Sequence, residues 1–162
     1  SISEFRLFSF PSSDGRYKKQ KIMIEFIKNL QFPIRRNLVL RGFINKKKKN
    51  CSKEIFTNIF GDINYIDRQK SLLSDDLKKD SYLFVTDANS TSWLEAIHLN
   101  VPSILLICNE YKDINLQKFN IFEKCIDNNL IFDCPYKASK WINQNISSIN
   151  TWWNQKIGRA HV

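Results

Sequence analysis

Apolar residues recur at positions 22, 23, 26, 27 and 30 of the segment DGRYKKQKIMIEFIKNL, which opens at Asp14, and basic residues fill the other side. That spacing draws one stripe along an α-helix, and Pro33 is expected to stop it. NLVLRGF, residues 37–43, is short and rich in β-formers, so it reads as the first strand. Ser52 to Phe60 reads as a helix ended by Gly61, INYI (63–66) as a short strand and Gln69 to Lys79 as a further helix. YLFVT (82–86) and SILLIC (103–108) are apolar without alternation. Between them lie the turn DANS and a helix from Ser92 to about Leu99. A helix over 115–127, the strand LIF (130–132) and two closing helices, 136–145 and 147–156, complete the pattern.

Strands and helices therefore alternate. Strands apolar on both sides must be covered by helices on both faces. The expectation is an α/β fold with a doubly wound parallel sheet, Rossmann-like. Residues 1–13 read as a connection into the domain and 14–156 as the domain itself. The last six, Ile157 to Val162, fit no element and resemble a translated sequencing adapter, so they are read as a non-native tail and set aside.

Composition narrows the class. At 162 residues the chain suits one domain, and 13% aromatic residues exclude wholesale disorder. No apolar run approaches the roughly 18 residues of a membrane span. The net charge is +9, but the Lys46–Lys49 run supplies four of those charges and the rest are dispersed without interleaved aromatics. A nucleic-acid partner is therefore not expected. Cys51, Cys108, Cys125 and Cys134 show neither C-x-x-C spacing nor a nearby histidine, and read as reduced thiols rather than a metal or disulfide frame. No metal site is expected.

In a doubly wound sheet, ligands bind beyond the carboxyl ends of the strands. The richest such loop is Asp87-Ala88-Asn89-Ser90-Thr91-Ser92-Trp93-Leu94-Glu95. It is small and hydroxyl-rich, and it opens a helix whose free N–H groups attract phosphate. Ser92-x-x-Glu95 reads as a capping box, which by itself implies only a well-capped helix. No G-x-G-x-x-G or G-x-x-x-x-G-K-[ST] motif is present, which speaks against a dinucleotide cofactor. Arg41 closes its strand at the same edge, where it could meet phosphate or form a salt bridge. Arg16 and Arg68 are weaker choices. His98 is read as packing or facing solvent, and Trp141, Trp152 and Trp153 as packing the closing helices or docking another domain.

The stretch TDANSTSWLEAIHLNVPSILL resembles the donor-nucleotide motif of GT-B type glycosyltransferases. From about Phe5 to Lys156 the chain is similar to the C-terminal part of surface-polysaccharide transferases of O-antigen and spore-coat type. The resemblance implies the donor-binding half of a cytoplasmic glycosyltransferase. Its substrate would be a nucleotide-activated donor, with no cofactor. Its N-terminal half, part of the same polypeptide, would lie outside this chain, and the full enzyme could associate peripherally with membrane. Asn89, Ser90, Thr91 and Ser92 would hold the donor diphosphate with Arg41, Glu95 would bind the ribose hydroxyls, and Asp87 would stand on the acceptor side. No catalytic base is identified. Two departures stand out: Asp87-Ala88-Asn89 replaces the usual glycine pair, and Asn100 replaces a glycine before Val101-Pro102. The first also resembles glycerophosphate and capsule-polymer transferases. The rival readings are a non-catalytic Rossmann-like module and a nucleotide-sugar epimerase of the same fold, the latter needing acid–base side chains of which this chain offers few.

Overall fold

A computed structural model of the chain describes residues 5–8, 16–42, 52–67, 69–79, 81–87, 91–108 and 120–156. In chain order the elements are β1 (Phe5–Phe8), α1 (Arg16–Lys28), α2 (Phe32–Arg36), β2 (Leu38–Gly42), α3 (Ser52–Phe60) and β3 (Asn64–Asp67). They continue with α4 (Leu73–Lys78), β4 (Phe84–Thr86), α5 (Thr91–His98), β5 (Ser103–Leu106), α6 (Asn120–Asp127), β6 (Ile131–Phe132) and α7 (Pro135–Asn145). A 3-10 turn at Ile146–Ser148 then leads into α8 (Ile149–Lys156).

The strands form one parallel sheet in the order β3-β2-β1-β4-β5-β6. Successive residues of a strand serve opposite layers. Leu38, Leu40, Leu83, Val85, Ile104 and Leu106 pack against Met23, Phe26 and Ile27 of α1 and Ala138 and Ile142 of α7. Phe84 meets Leu77 of α4 and Ala96 of α5, while Leu105, Ile107 and Ile131 meet Trp93 of α5 and Trp153 of α8. The doubly wound sheet expected from unalternated strands is the observed one.

Two expectations are corrected. Residues 1–13, read as a connection, include β1, which lies mid-sheet and pairs with β2 on one side and β4 on the other. FRLF is too short to display a period, so only its neighbours reveal it as a strand. Pro33 does not stop α1, which already ends at Lys28; it opens α2, in whose first turn its missing N–H leaves no bond unmade.

Helix ends follow local chemistry. Gly61 closes α3 at φ 76°, in the left-handed region. Asn100 and Asn129 take the same conformation after α5 and α6, at φ 55° and 61°. After each, a paired set of backwards N–H bonds closes the helix: Asn100 N to Ile97 O with Val101 N to Ala96 O, and Asn129 N to Ile126 O with Leu130 N to Cys125 O. This is the Schellman arrangement. It explains the departure at position 100, since asparagine tolerates left-handed backbone better than other side-chain-bearing residues.

Candidate functional site at the carboxyl edge of the sheet

After β3 the chain crosses to the far side of β1, so the strand order reverses between β1 and β4. Open α/β sheets form their ligand crevice at such a reversal, beyond the carboxyl ends of the strands. Phe8 of β1 is in register with both Arg41 of β2 and Thr86 of β4, so these three residues stand at one level near that edge. The loop after β4 leads directly into α5, whose amino end therefore sits at the reversal.

Thr86 and Asp87 at the end of β4 are buried and hold partners within the molecule. Asn89 and Ser90 lie outside the described residues, as do Arg68 and the Lys46–Lys49 run. The side chain of Arg16 is likewise not described. α5 begins at Thr91, one residue ahead of the expected start. Ser92 thus lies within the first turn and is buried, so the Ser92-x-x-Glu95 pair does not form the expected capping box. Ser92, Trp93 and Ala96 face the interior. Thr91 is exposed and Glu95 half-buried. Four residues apart, these two are neighbours on the outer side of the helix. His98 is exposed at the other end of α5.

Arg41 is 5% exposed. Its Nε donates to Asp76 Oδ2 at 2.8 Å, and a terminal nitrogen donates to the carbonyl of Ser71. The Ser71 hydroxyl donates to the same Asp76 oxygen at 2.7 Å. A guanidinium taken out of water needs such a carboxylate. Arg41 therefore braces the turn before α4 against β2. Asp76 and Ser71 were not singled out from sequence; an arginine in a buried strand announces a carboxylate partner but not which one.

The tryptophans resolve into packing. Trp152 Nε1 donates to the carbonyl of Asn128 at 3.0 Å, and Trp153 Nε1 to Asn100 Oδ1 at 2.9 Å. Trp141 meets Trp152 edge-on with ring centres 4.8 Å apart. α8 is thereby tied to the closing turns of both α5 and α6. At the rim after β5 and β6, burial first, then Cys134, Asp133 and Glu25, pushes the Cys108 thiol up to about 12. Burial also raises that of Cys125. Among the described residues no group of three or more His, Cys, Asp or Glu could hold a metal ion, and no helix is long and apolar enough to cross a membrane.

Comparison with solved structures finds the same fold. The catalytic domain of cholesterol-α-glucosyltransferase from Helicobacter pylori aligns with a TM-score of 0.56 at 16% identity, over 98% of this chain and 98% of that one. A Listeria monocytogenes protein provisionally assigned as a UDP-N-acetylglucosamine 2-epimerase aligns with a TM-score of 0.61 at 16% identity, over 96% of this chain. WaaG, a glycosyltransferase involved in lipopolysaccharide biosynthesis, aligns with a TM-score of 0.56 at 15% identity, over the whole of this chain. The chain spans 40% of the Listeria protein and 44% of WaaG. At these identities the likeness establishes a fold, a Rossmann-like α/β domain of the kind found in GT-B glycosyltransferases. Comparison with curated protein sequences gives no significant match. Residues 3–162 match the profile of the LIC12162 family transferases, and the chain accordingly belongs to that transferase family.

Proposed function

We propose that this domain is the donor-nucleotide-binding half of a glycosyltransferase-like enzyme of bacterial surface-polysaccharide biosynthesis, working in the cytoplasm with an N-terminal half that completes the active site. The observation that carries this reading is the amino end of α5, opening at Thr91 beside the reversal between β1 and β4.

The first-turn N–H groups of α5 have no partners within the helix and carry the positive end of its dipole. A donor diphosphate settles there, and its growing charge on departure is stabilised without a metal. The Thr91 hydroxyl adds a hydrogen bond from the exposed side. One turn on, Glu95 receives the ribose hydroxyls. Ser92 supplies its backbone N–H, since its side chain turns inward. Asn89 and Ser90 complete the anion cradle. Arg41, its charge balanced by Asp76, acts by fixing the end of β2 beneath the rim, and Asp87 stands toward the acceptor.

Calorimetry with UDP, GDP and CMP compounds tests the reading. One of them binds the chain. Thr91→Ala weakens it by about 0.5–1.5 kcal/mol, the net worth of a neutral hydrogen bond, and Glu95→Ala by about 1.5–3, that of a charged one. Binding of none of the panel returns the domain to a non-catalytic module. The isolated chain transfers no sugar, and turnover by it alone would refute the division of labour between halves.

A further inference from the structure

α1 follows β1 and precedes the parallel strand β2, so it runs back across the sheet and ends at the amino edge. There the α1–α2 link meets the outer side of α7 and leaves an open cleft of about 290 Å³. α7 covers the opposite sheet face from α5, so this cleft and the donor rim are separated by the sheet.

Its floor is built. The Asn143 carboxamide accepts from Gln31 N at 2.9 Å and donates to Asn29 O at 2.8 Å. Asn29 Nδ2 donates to Glu25 O at 2.8 Å, and the Ser139 hydroxyl donates to the carbonyls of Pro135 and Tyr136. Above that floor stand the side chains of Gln31, Gln144, Lys140 and Tyr136. All four are exposed. Lys140 makes no ion pair among the described residues. Tyr136 is 53% exposed, so about half of its surface meets solvent. Among the described residues that line the cleft there is no carboxylate.

We propose that this cleft binds a segment of an acidic glycan. A carboxamide offers a donor and an acceptor together, which matches neighbouring sugar hydroxyls that each give and take a hydrogen bond. A half-exposed tyrosine ring packs the C–H side of a sugar ring. A lysine held in no ion pair among the described residues selects a sugar carboxylate over a neutral ring. Peptide docking calls for apolar anchors, and the described lining residues include no aliphatic side chain. A nucleic-acid strand calls for a row of cations, and the described lining residues include one. The volume, about 290 Å³, falls just short of the roughly 300–1,000 Å³ of small-molecule sites and suits a short segment. The inference rests on the cleft's own chemistry and stands apart from the donor reading.

The test titrates the chain with tetramannuronate and with maltotetraose by calorimetry and by NMR. Tetramannuronate binds saturably and about tenfold tighter than maltotetraose. Lys140→Ala abolishes that preference, whereas Tyr136→Ala and Gln144→Ala weaken both glycans. These positions are exposed, and an unchanged circular dichroism spectrum confirms that the variants fold. Thr91→Ala leaves both glycans bound as before, so failure of nucleotide binding and failure of glycan binding are read separately. The proposal is overturned if neither glycan saturates. It is equally overturned if tetramannuronate binding vanishes with salt and ignores Tyr136→Ala and Gln144→Ala, since Lys140 is then a lone surface cation.

Discussion

Arg41 and Asp76 form a buried ion pair joined by Ser71. Removing one partner of such a pair strands a charge out of water, which costs about 3–5 kcal/mol, whereas replacing both with apolar residues of similar volume is often near neutral. Asp76→Ala therefore destabilises strongly in urea unfolding, and Arg41→Met with Asp76→Leu recovers most of the loss. An Asp76→Ala cost no larger than that of a surface pair would refute the brace. Cys108 supplies a titration. Its folded value, about 12, lies above the ordinary 9.0, so the native state holds the thiol proton more tightly than the unfolded chain does. The resulting stabilisation is complete below pH 9 and fades as pH rises toward 12. Cys108→Ala flattens that alkaline limb. At pH 8 iodoacetamide spares Cys108 in the folded chain, because the thiolate is the reactive form; rapid modification there would contradict it.

Between elements, the informative contact is α8 against the turn after α5. Asn100 does two things: its backbone takes the left-handed conformation and its carbonyl oxygen accepts from the Trp153 indole. Asn100→Gly eases the first, worth up to about 1 kcal/mol, but leaves the indole of a side chain only 1% exposed without an acceptor, costing about 1–3. The net is a modest loss. Asn100→Ala forfeits both and loses more. Urea midpoints should rank native above Asn100→Gly above Asn100→Ala, and a glycine variant more stable than the native chain would show that the indole bond contributes nothing. The family motif that this segment resembles carries a glycine here, the residue that a left-handed turn by itself favours. Asparagine answers to a helix more than fifty residues further on.

For the molecule as a whole, β1 is the hinge of the architecture. It bonds to strands on both sides and marks where the order reverses. A chain beginning at residue 9 would leave β2 and β4 with facing unpaired edges in the middle of the sheet. Unsatisfied backbone groups there are costly. Thermal unfolding followed by circular dichroism is expected to lose its cooperative transition in that truncation. A sharp transition at native temperature would mean that the strand is dispensable.

Alternation of periodic helices with unalternated apolar strands was enough to predict a doubly wound parallel sheet, because burial on two faces leaves a mark on each strand's own composition. It located Ser52–Phe60 as a helix and brought out the loop before α5, since hydroxyl-rich turns and helix starts are matters of neighbouring residues. Strand order was not legible, nor was the centrality of Phe5–Phe8. Nor could it tell that Ser92 turns inward while Thr91 and Glu95 share the outer face, or that Arg41 is held by Asp76. Each of these depends on which distant segment lies across the gap, and a one-dimensional pattern carries burial without naming the partner. Tertiary packing alone decided those pairings, and with them that Ser92 is buried while Thr91 is exposed.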